Sequence, residues 1–309
     1  MILKDFGIDI GIVSFMAYPE IVKEEELVEE KIKKIVSDDF FSFIEIAHIN
    51  DVNIRAKVRD VLEISNIRIG FDAHPQILSD SLSINTLDEN KRNSALEFFK
   101  ELIDEAYFMN AEGFTILSGL KPDKKDIENE LETAVNSVKE LCRYSVLKAK
   151  ELGRKPVDII IETFDDKEFA KNRLIGPTDI AVNFAHQIKK EYDNFGLLLD
   201  LSHLPILGEN FIESLNKAKE FIKHIHIGNC IIKDKSHPAF GDNHPRFCVA
   251  GGENDIDILA SFIKALVMIG YFEKPNSTLI IEVKPLPGED PDLTVAGSKR
   301  ALLRAFNMI

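Results

Sequence analysis

Cysteine is scarce in this 309-residue chain: Cys142, Cys230 and Cys248 stand apart, with no C-x-x-C spacing. Neither a disulfide framework nor a cysteine zinc site is indicated, and a reduced, cytoplasmic setting fits. Positive charge is also short. Thirty-eight Lys and Arg face 52 Asp and Glu, a formal net charge of −14. That argues against gripping a phosphate backbone, so no nucleic-acid partner is expected. No apolar run reaches the roughly 18 residues of a membrane helix, and no membrane association is expected. The opening MILKDFGIDIGIVSF lacks an A-x-A cleavage signal and soon acquires Asp5 and Asp9, so it reads as a strand instead of a signal peptide. Nucleotide-binding glycine motifs (G-x-G-x-x-G, or G-x-x-x-x-G-K-S/T) follow none of the apolar runs. No low-complexity stretch, short repeat or Pro/Gly/Ser-rich linker divides the chain.

What the chain does have is alternation. Eight short apolar, β-branched runs recur at 6–15, 41–47, 67–74, 114–120, 157–164, 196–203, 224–230 and 278–285. Amphipathic stretches such as KRNSALEFFKELIDEAYFM separate them, and SKRALLRAFNMI closes the chain. Strand–helix alternation implies a parallel sheet covered by helices, and eight units predict a single (β/α)8 TIM barrel spanning 1–309. Thr86-x-x-Glu89 reads as a capping box. Two long loops, about 229–254 and the KPLPGEDPD segment, would lie at the C-terminal face, where such barrels keep their active sites.

Several strand ends carry chemistry. GLLLDLSH finishes a greasy run with Asp200 and His203, VDIIIETF with Glu162, and TLIIEVKP with Glu282. In HIHIGNC, His224 and His226 share one face, and His226 stands nearer the strand's C-terminal end. Three carboxylates converging with one imidazole repel each other unless a cation sits among them. Such a ligand set predicts a divalent metal held by Glu162, Asp200, His226 and Glu282. Mn²⁺ is the expected ion, with Mg²⁺, Co²⁺ or Zn²⁺ as alternatives. His224 reads as a satisfied interior histidine, His186 as surface, and His48 as a rim or loop residue. Lys284, two residues past Glu282, is expected on the same inward side, either reaching substrate or pairing with the carboxylates.

The pattern E-x-x-D-x-x-E (Glu162, Asp165, Glu168), then DLSH, HIHIGN, GGEND and IIEVKP, resembles the xylose-isomerase-like barrel superfamily. That group includes ketose 3-epimerases, hydroxypyruvate isomerases, inosose dehydratases and type IV apurinic endonucleases. The resemblance implies a metal-dependent sugar isomerase or epimerase in which Glu162 and Glu282 also move protons. It further implies that Glu168, His203 and Arg246 touch substrate, Arg246 being the arginine that precedes the Gly-rich turn. Barrels of this class often pair as dimers or tetramers. The chemistry would remove a proton next to a carbonyl through an enediolate, with one glutamate as acid and the other as base. The substrate would be a small sugar; Lys233, Lys235 and Arg246 leave a sugar phosphate open.

Two alternatives share the fold. In an apurinic endonuclease, His74, Asp242 and His244 would form an additional polar, zinc-holding site, but Ser118 stands where that family places a zinc-binding histidine. An inosose-type dehydratase uses similar proton abstraction. A barrel that binds a sugar or protein without turnover is disfavoured, because both proton-moving glutamates are present.

Overall fold

The fold is seen in a computed structural model that describes residues 8–309, so the reading of residues 1–7 lies outside the described residues. Eight parallel strands close into one barrel in chain order. They are β1 Asp9–Val13, β2 Phe43–Ala47, β3 Arg68–Asp72, β4 Gly113–Ile116, β5 Asp158–Thr163, β6 Phe195–Asp200, β7 Ile222–Ile227 and β8 Thr278–Ile281. Between them run α1 Ser14–Ala17, α2 Val28–Val36, α3 Val52–Ser65, α4 His74–Asp80, α5 Glu89–Phe108 and α6 Ile127–Leu152. The second half adds α7 Thr178–Lys189, α8 His203–Leu207, α9 Phe211–Ala218, α10 Ile256–Met268 and α11 Pro291–Phe306. This is the single (β/α)8 barrel that the alternation predicts. The short α1, α4 and α8 each follow directly on a strand end at the C-terminal face.

Local chemistry accounts for these boundaries. Asp51, Asn210 and Asp290 cap α3, α9 and α11 by accepting backbone N–H groups of the first turn. Gly153, at φ 64°, ends α6 in the left-handed conformation that costs glycine little. The expected capping box at Thr86 is displaced: Asp88 caps α5 by accepting the Lys91 N–H, while Thr86 accepts the N–H of Asp88. Two acceptors compete there, and Asp88 is the one in register with the first helical turn. β6 is buried along its whole length, as a parallel strand covered on both faces must be.

The register keeps like faces together. Glu45 lies opposite Gly70, Gly70 opposite Gly113, Leu198 opposite His224 and Asp200 opposite His226. Inward-facing residues therefore stack in layers within the barrel. A Cβ on Gly70 would come 3.1 Å from Cγ of Glu45, so the missing side chain leaves Glu45 room to lie inside. Several strands stop earlier than their apolar runs suggest. β6 ends at Asp200, so His203 begins α8, and β8 ends at Ile281, so Glu282 lies just past it. Among the described residues, no helix is long and apolar enough to cross a membrane.

Candidate metal centre

Glu162 on β5, Asp200 at the end of β6, His226 on β7 and Glu282 just beyond β8 converge at the C-terminal mouth. All four are buried, and one donor atom from each lies within 4.8 Å of the others. Nδ1 of His226 is 2.8 Å from Oε2 of Glu282 and 4.0 Å from Oε1 of Glu162. Asp200 is oriented by Ser202, whose backbone N–H and hydroxyl donate to it at 2.7 and 2.6 Å. Neither oxygen of Glu162 has a hydrogen-bond partner.

A supporting layer lies beneath. The carboxylate of Glu45 is 2.8 Å from Nε2 of His224 and 2.9 Å from Nε2 of His226. It therefore turns the other nitrogen of His226, Nδ1, toward the cluster, the usual way a carboxylate orients a ligating imidazole. His224 lies between Glu45 and the Thr278 hydroxyl, which is hydrogen-bonded to its Nδ1 at 2.7 Å.

Beside the four lies a second group. His203 Nδ1 accompanies the carbonyl of Thr163 at 2.8 Å, and its Nε2 is 3.3 Å from Asp242. His244 Nε2 is 2.8 Å from the same Asp242 oxygen, while its Nδ1 faces Asp200 at 3.6 Å and Glu282 at 3.8 Å. His74 Nδ1 sits between Asp72 at 3.2 Å and Glu162 at 3.3 Å. A Cβ on Gly228 would fall 2.7 Å from Nδ1 of His244, so only glycine lets that ring approach.

The electrostatics ask for cations. Glu45, Asp72, Glu162, Asp200, Asp242 and Glu282 are six buried carboxylates. Among the described residues, only Lys171 brings a lysine or arginine nitrogen within 4.0 Å of any of them, at 3.7 Å from Asp242. Burial, then the charge of Glu282, holds the Glu162 carboxyl well above the usual range. Burial likewise raises Asp200. Glu282 is pulled down to about 2: burial opposes, but the histidines His244 and His226 prevail. His226 and His203 are held well above the ordinary imidazole value, because neighbouring carboxylates outweigh burial. The oxygens of Glu162, Nε2 of His203 and Nδ1 of His244, all buried without a hydrogen bond, add to the case. An O/N donor set this dense and this buried fits a divalent cation.

Three residues expected to touch substrate stand apart from the four-residue cluster. Asp165 accepts the N–H groups of Lys167, Lys171 and Asn172, which folds the loop so that Glu168 sits on an exposed turn. Arg246 is drawn away by Glu289, to which its Nε donates at 2.7 Å. Lys284 is exposed, because β8 has already ended and strand alternation no longer sets its direction; it lines the wall of the cleft that Glu282 also lines. His48 pairs with Glu105 at 2.5 Å, outside the cluster. Ser118 is buried, its hydroxyl accepting the Ile175 N–H. Glu45 and Asp72 were not anticipated. The rule that singled out Glu162 and Asp200, a carboxylate ending an apolar strand, would have found Asp72; a glutamate inside FSFIEIA was the signal for Glu45.

A cleft of about 610 Å³ opens over the centre. Phe15, Met16 and Phe164 form apolar wall, and His74, His244 and Glu282 form its polar floor. That size suits a small molecule. A second cavity, about 430 Å³, lies at the N-terminal mouth, away from the face where barrel chemistry takes place.

The comparisons agree on architecture. Residues 36–304 match the model of a family described as xylose isomerase-like TIM barrel. No curated protein matches the chain. The chain is similar to a D-psicose 3-epimerase structure from Clostridium cellulolyticum H10, solved with D-tagatose. Identity is 18%, coverage 97% of this chain and 99% of the other, and TM-score 0.70. A 3-keto-D-glucoside 4-epimerase from E. coli shares 15% identity, with 97% and 99% coverage and a TM-score of 0.67. An AP endonuclease, family 2, from Brucella melitensis also shares 15%, with 94% and 97% coverage and a TM-score of 0.65. At such identities the likeness is one of fold.

Proposed function

The chain belongs to the xylose isomerase-like TIM-barrel family, and from that premise we propose that it is a metal-dependent sugar isomerase or epimerase. The observation that carries this is the buried cluster of Glu162, Asp200, His226 and Glu282, with donor atoms within 4.8 Å of one another beneath an open cleft. These four residues would hold the cation, with Mn²⁺ the expected ion. When bound, it supplies Lewis acidity toward a carbonyl and a neighbouring hydroxyl.

The protein's own groups do the rest. Glu162 and Glu282 stand on β5 and beyond β8, and are suited to take a proton from the carbon next to a carbonyl and to return it. Such acid–base help contributes roughly 10²–10⁴-fold. His74, on the cleft floor, is the proposed contact for a sugar hydroxyl, and His203, held by the Thr163 carbonyl and beside Asp242, is proposed to act from just behind it. The apolar wall of Phe15, Met16 and Phe164 excludes water from the reacting carbon. The substrate is a small sugar or its phosphate, and the enzyme is expected to work in the cytoplasm as a homodimer or homotetramer.

A screen of ketoses with Mn²⁺, read by solvent deuterium entering the carbon next to the carbonyl, tests the reading. Deuterium uptake lost in Glu162→Gln and Glu282→Gln supports it. Retention of a substrate hydrogen label in product, without exchange, would point to hydride transfer and overturn the proton-transfer step.

One observation favours a second reading. Asp200, His203 and His244 form a second compact donor group that shares Asp200 with the first, and Asp242 pairs with both of these histidines, which suits a zinc-dependent nuclease that holds several metals. Ser118 and the −14 charge weigh against it. About three metals per chain and cleavage at abasic sites would establish the nuclease; about one metal and sugar turnover would exclude it.

A further inference from the structure

Among the described residues, Arg173 is the only lysine or arginine that is buried, at 8% exposure. None of their carboxylates comes within 4.0 Å of its guanidinium, whereas Arg68 and Arg246 each hold a carboxylate partner. Its Nε is buried without any hydrogen-bond partner, and one Nη reaches the Ser118 carbonyl at a long 3.4 Å. The carboxylate acting on it from further away is Asp165, which is already engaged with the N–H groups of Lys167, Lys171 and Asn172. A guanidinium cannot shed its proton, and burying a charge without a counter-charge is costly.

Arg173 lines a cleft of about 960 Å³ beside the candidate centre. α4 is the partition: Leu78 faces both clefts, Ile77 and Asp80 line this one, and His74 lines the other. The same cleft carries acceptors and amides. Glu130 takes a hydrogen bond from Asn85, and Asn85 also accepts the Gly119 N–H at 2.6 Å. Lys121, at the rim, is paired with Asp166 at 2.8 Å. Lys91, also in the lining, is exposed and lies 3.9 Å from Asp88, and Asp80 and Glu130 add carboxylates to the same wall, so Arg173 is the buried cation of this cleft that no carboxylate neutralises within 4.0 Å.

We propose that this cleft is a second binding site, for a small hydroxylated oxyanion, a sugar phosphate or a sugar acid, whose anionic group pairs with Arg173. A planar guanidinium binds phosphate or carboxylate through paired N–H groups. Hydroxyls of the same molecule donate to Glu130 and accept from the amides at the rim. The site does not depend on the metal centre or on the sugar chemistry proposed for it.

Calorimetric titration of the full chain with glucose 6-phosphate and with gluconate, and with glucose as the uncharged control, tests this. The expected result is one anion per chain, with glucose much weaker. Arg173→Gln should weaken the anion at least about tenfold, equivalent to about 1.4 kcal/mol. Arg173→Lys, which keeps the charge but loses the fork, should weaken it less and serves if the glutamine variant does not fold. Binding retained in Asp200→Asn separates this site from the centre. The stronger of the two anions identifies the ligand class. No anion binding by the unaltered protein, equal binding by both Arg173 variants, or loss of binding in Asp200→Asn would overturn the proposal.

Discussion

Replacing Glu162 by Gln should make the metal-free protein more stable and the metal-loaded protein less stable. Glu162 is buried, both its oxygens lack hydrogen-bond partners, and its carboxyl is held well above the usual range by burial and by Glu282. Two unit charges at the 4.8 Å outer limit of the cluster interact, at an effective dielectric of 20, by about 3.5 kcal/mol. The charges of His226 and His203 offset part of that repulsion. The folded state therefore binds a proton that the unfolded chain releases above about pH 4.3. Because the folded state then holds more protons, stability falls as pH rises from that value toward the folded pKa, by about 1.4 kcal/mol per unit. Glutamine removes this loss without changing the shape of the side chain. In chelator, the advantage of Glu162→Gln should grow as pH rises above about 4.3, by up to about 1.4 kcal/mol per unit, each kcal/mol being roughly 1–2 °C in melting temperature for a chain of this size. Adding Mn²⁺ reverses the order: a cation at 100 times its dissociation constant stabilises the unaltered protein by about 2.7 kcal/mol, and the variant gains little. The assay is thermal unfolding from pH 5 to 8, with and without Mn²⁺. A variant less stable in chelator at every pH would refute the reasoning, since Glu162 would then be a satisfied structural carboxylate.

Asp200→Asn should cut bound metal, measured by elemental analysis, while circular dichroism stays unchanged; full occupancy would remove Asp200 from the site. His203→Ala should impair turnover yet leave metal in the four-residue cluster, and loss of that metal would make His203 a ligand. Gly228→Ala, whose Cβ would lie 2.7 Å from Nδ1 of His244, should cost about 1–3 kcal/mol in denaturant unfolding and displace that ring; an unchanged midpoint would show that the loop gives way freely. Glu45→Gln should weaken metal binding about tenfold or more in a competition titration, because His226 loses the carboxylate that orients it, and unaltered affinity would show that Glu45 is only packing.

Much was legible in the chain itself. Eight apolar runs separated by helical patterns imply a parallel barrel, because a strand buried on both faces must be greasy throughout and must be followed by a covering helix. Period-two alternation put Glu162, Asp200 and His226 on one side, since residues two apart on a strand face the same way. That rule failed where its premise failed. β8 stops at Ile281, so alternation no longer aims Lys284, which stands exposed on the cleft wall, and the loop gathered by Asp165 carries Glu168 outward. Local propensity says nothing about partners distant in sequence. Glu289 capturing Arg246, Glu45 bridging His224 and His226, and Gly228 admitting His244 from a loop 16 residues further on are decided by closure of the barrel. The sequence determined which side chains point inward along each strand; only the tertiary structure decided which of them meet, because register and loop path set distances that periodicity does not contain.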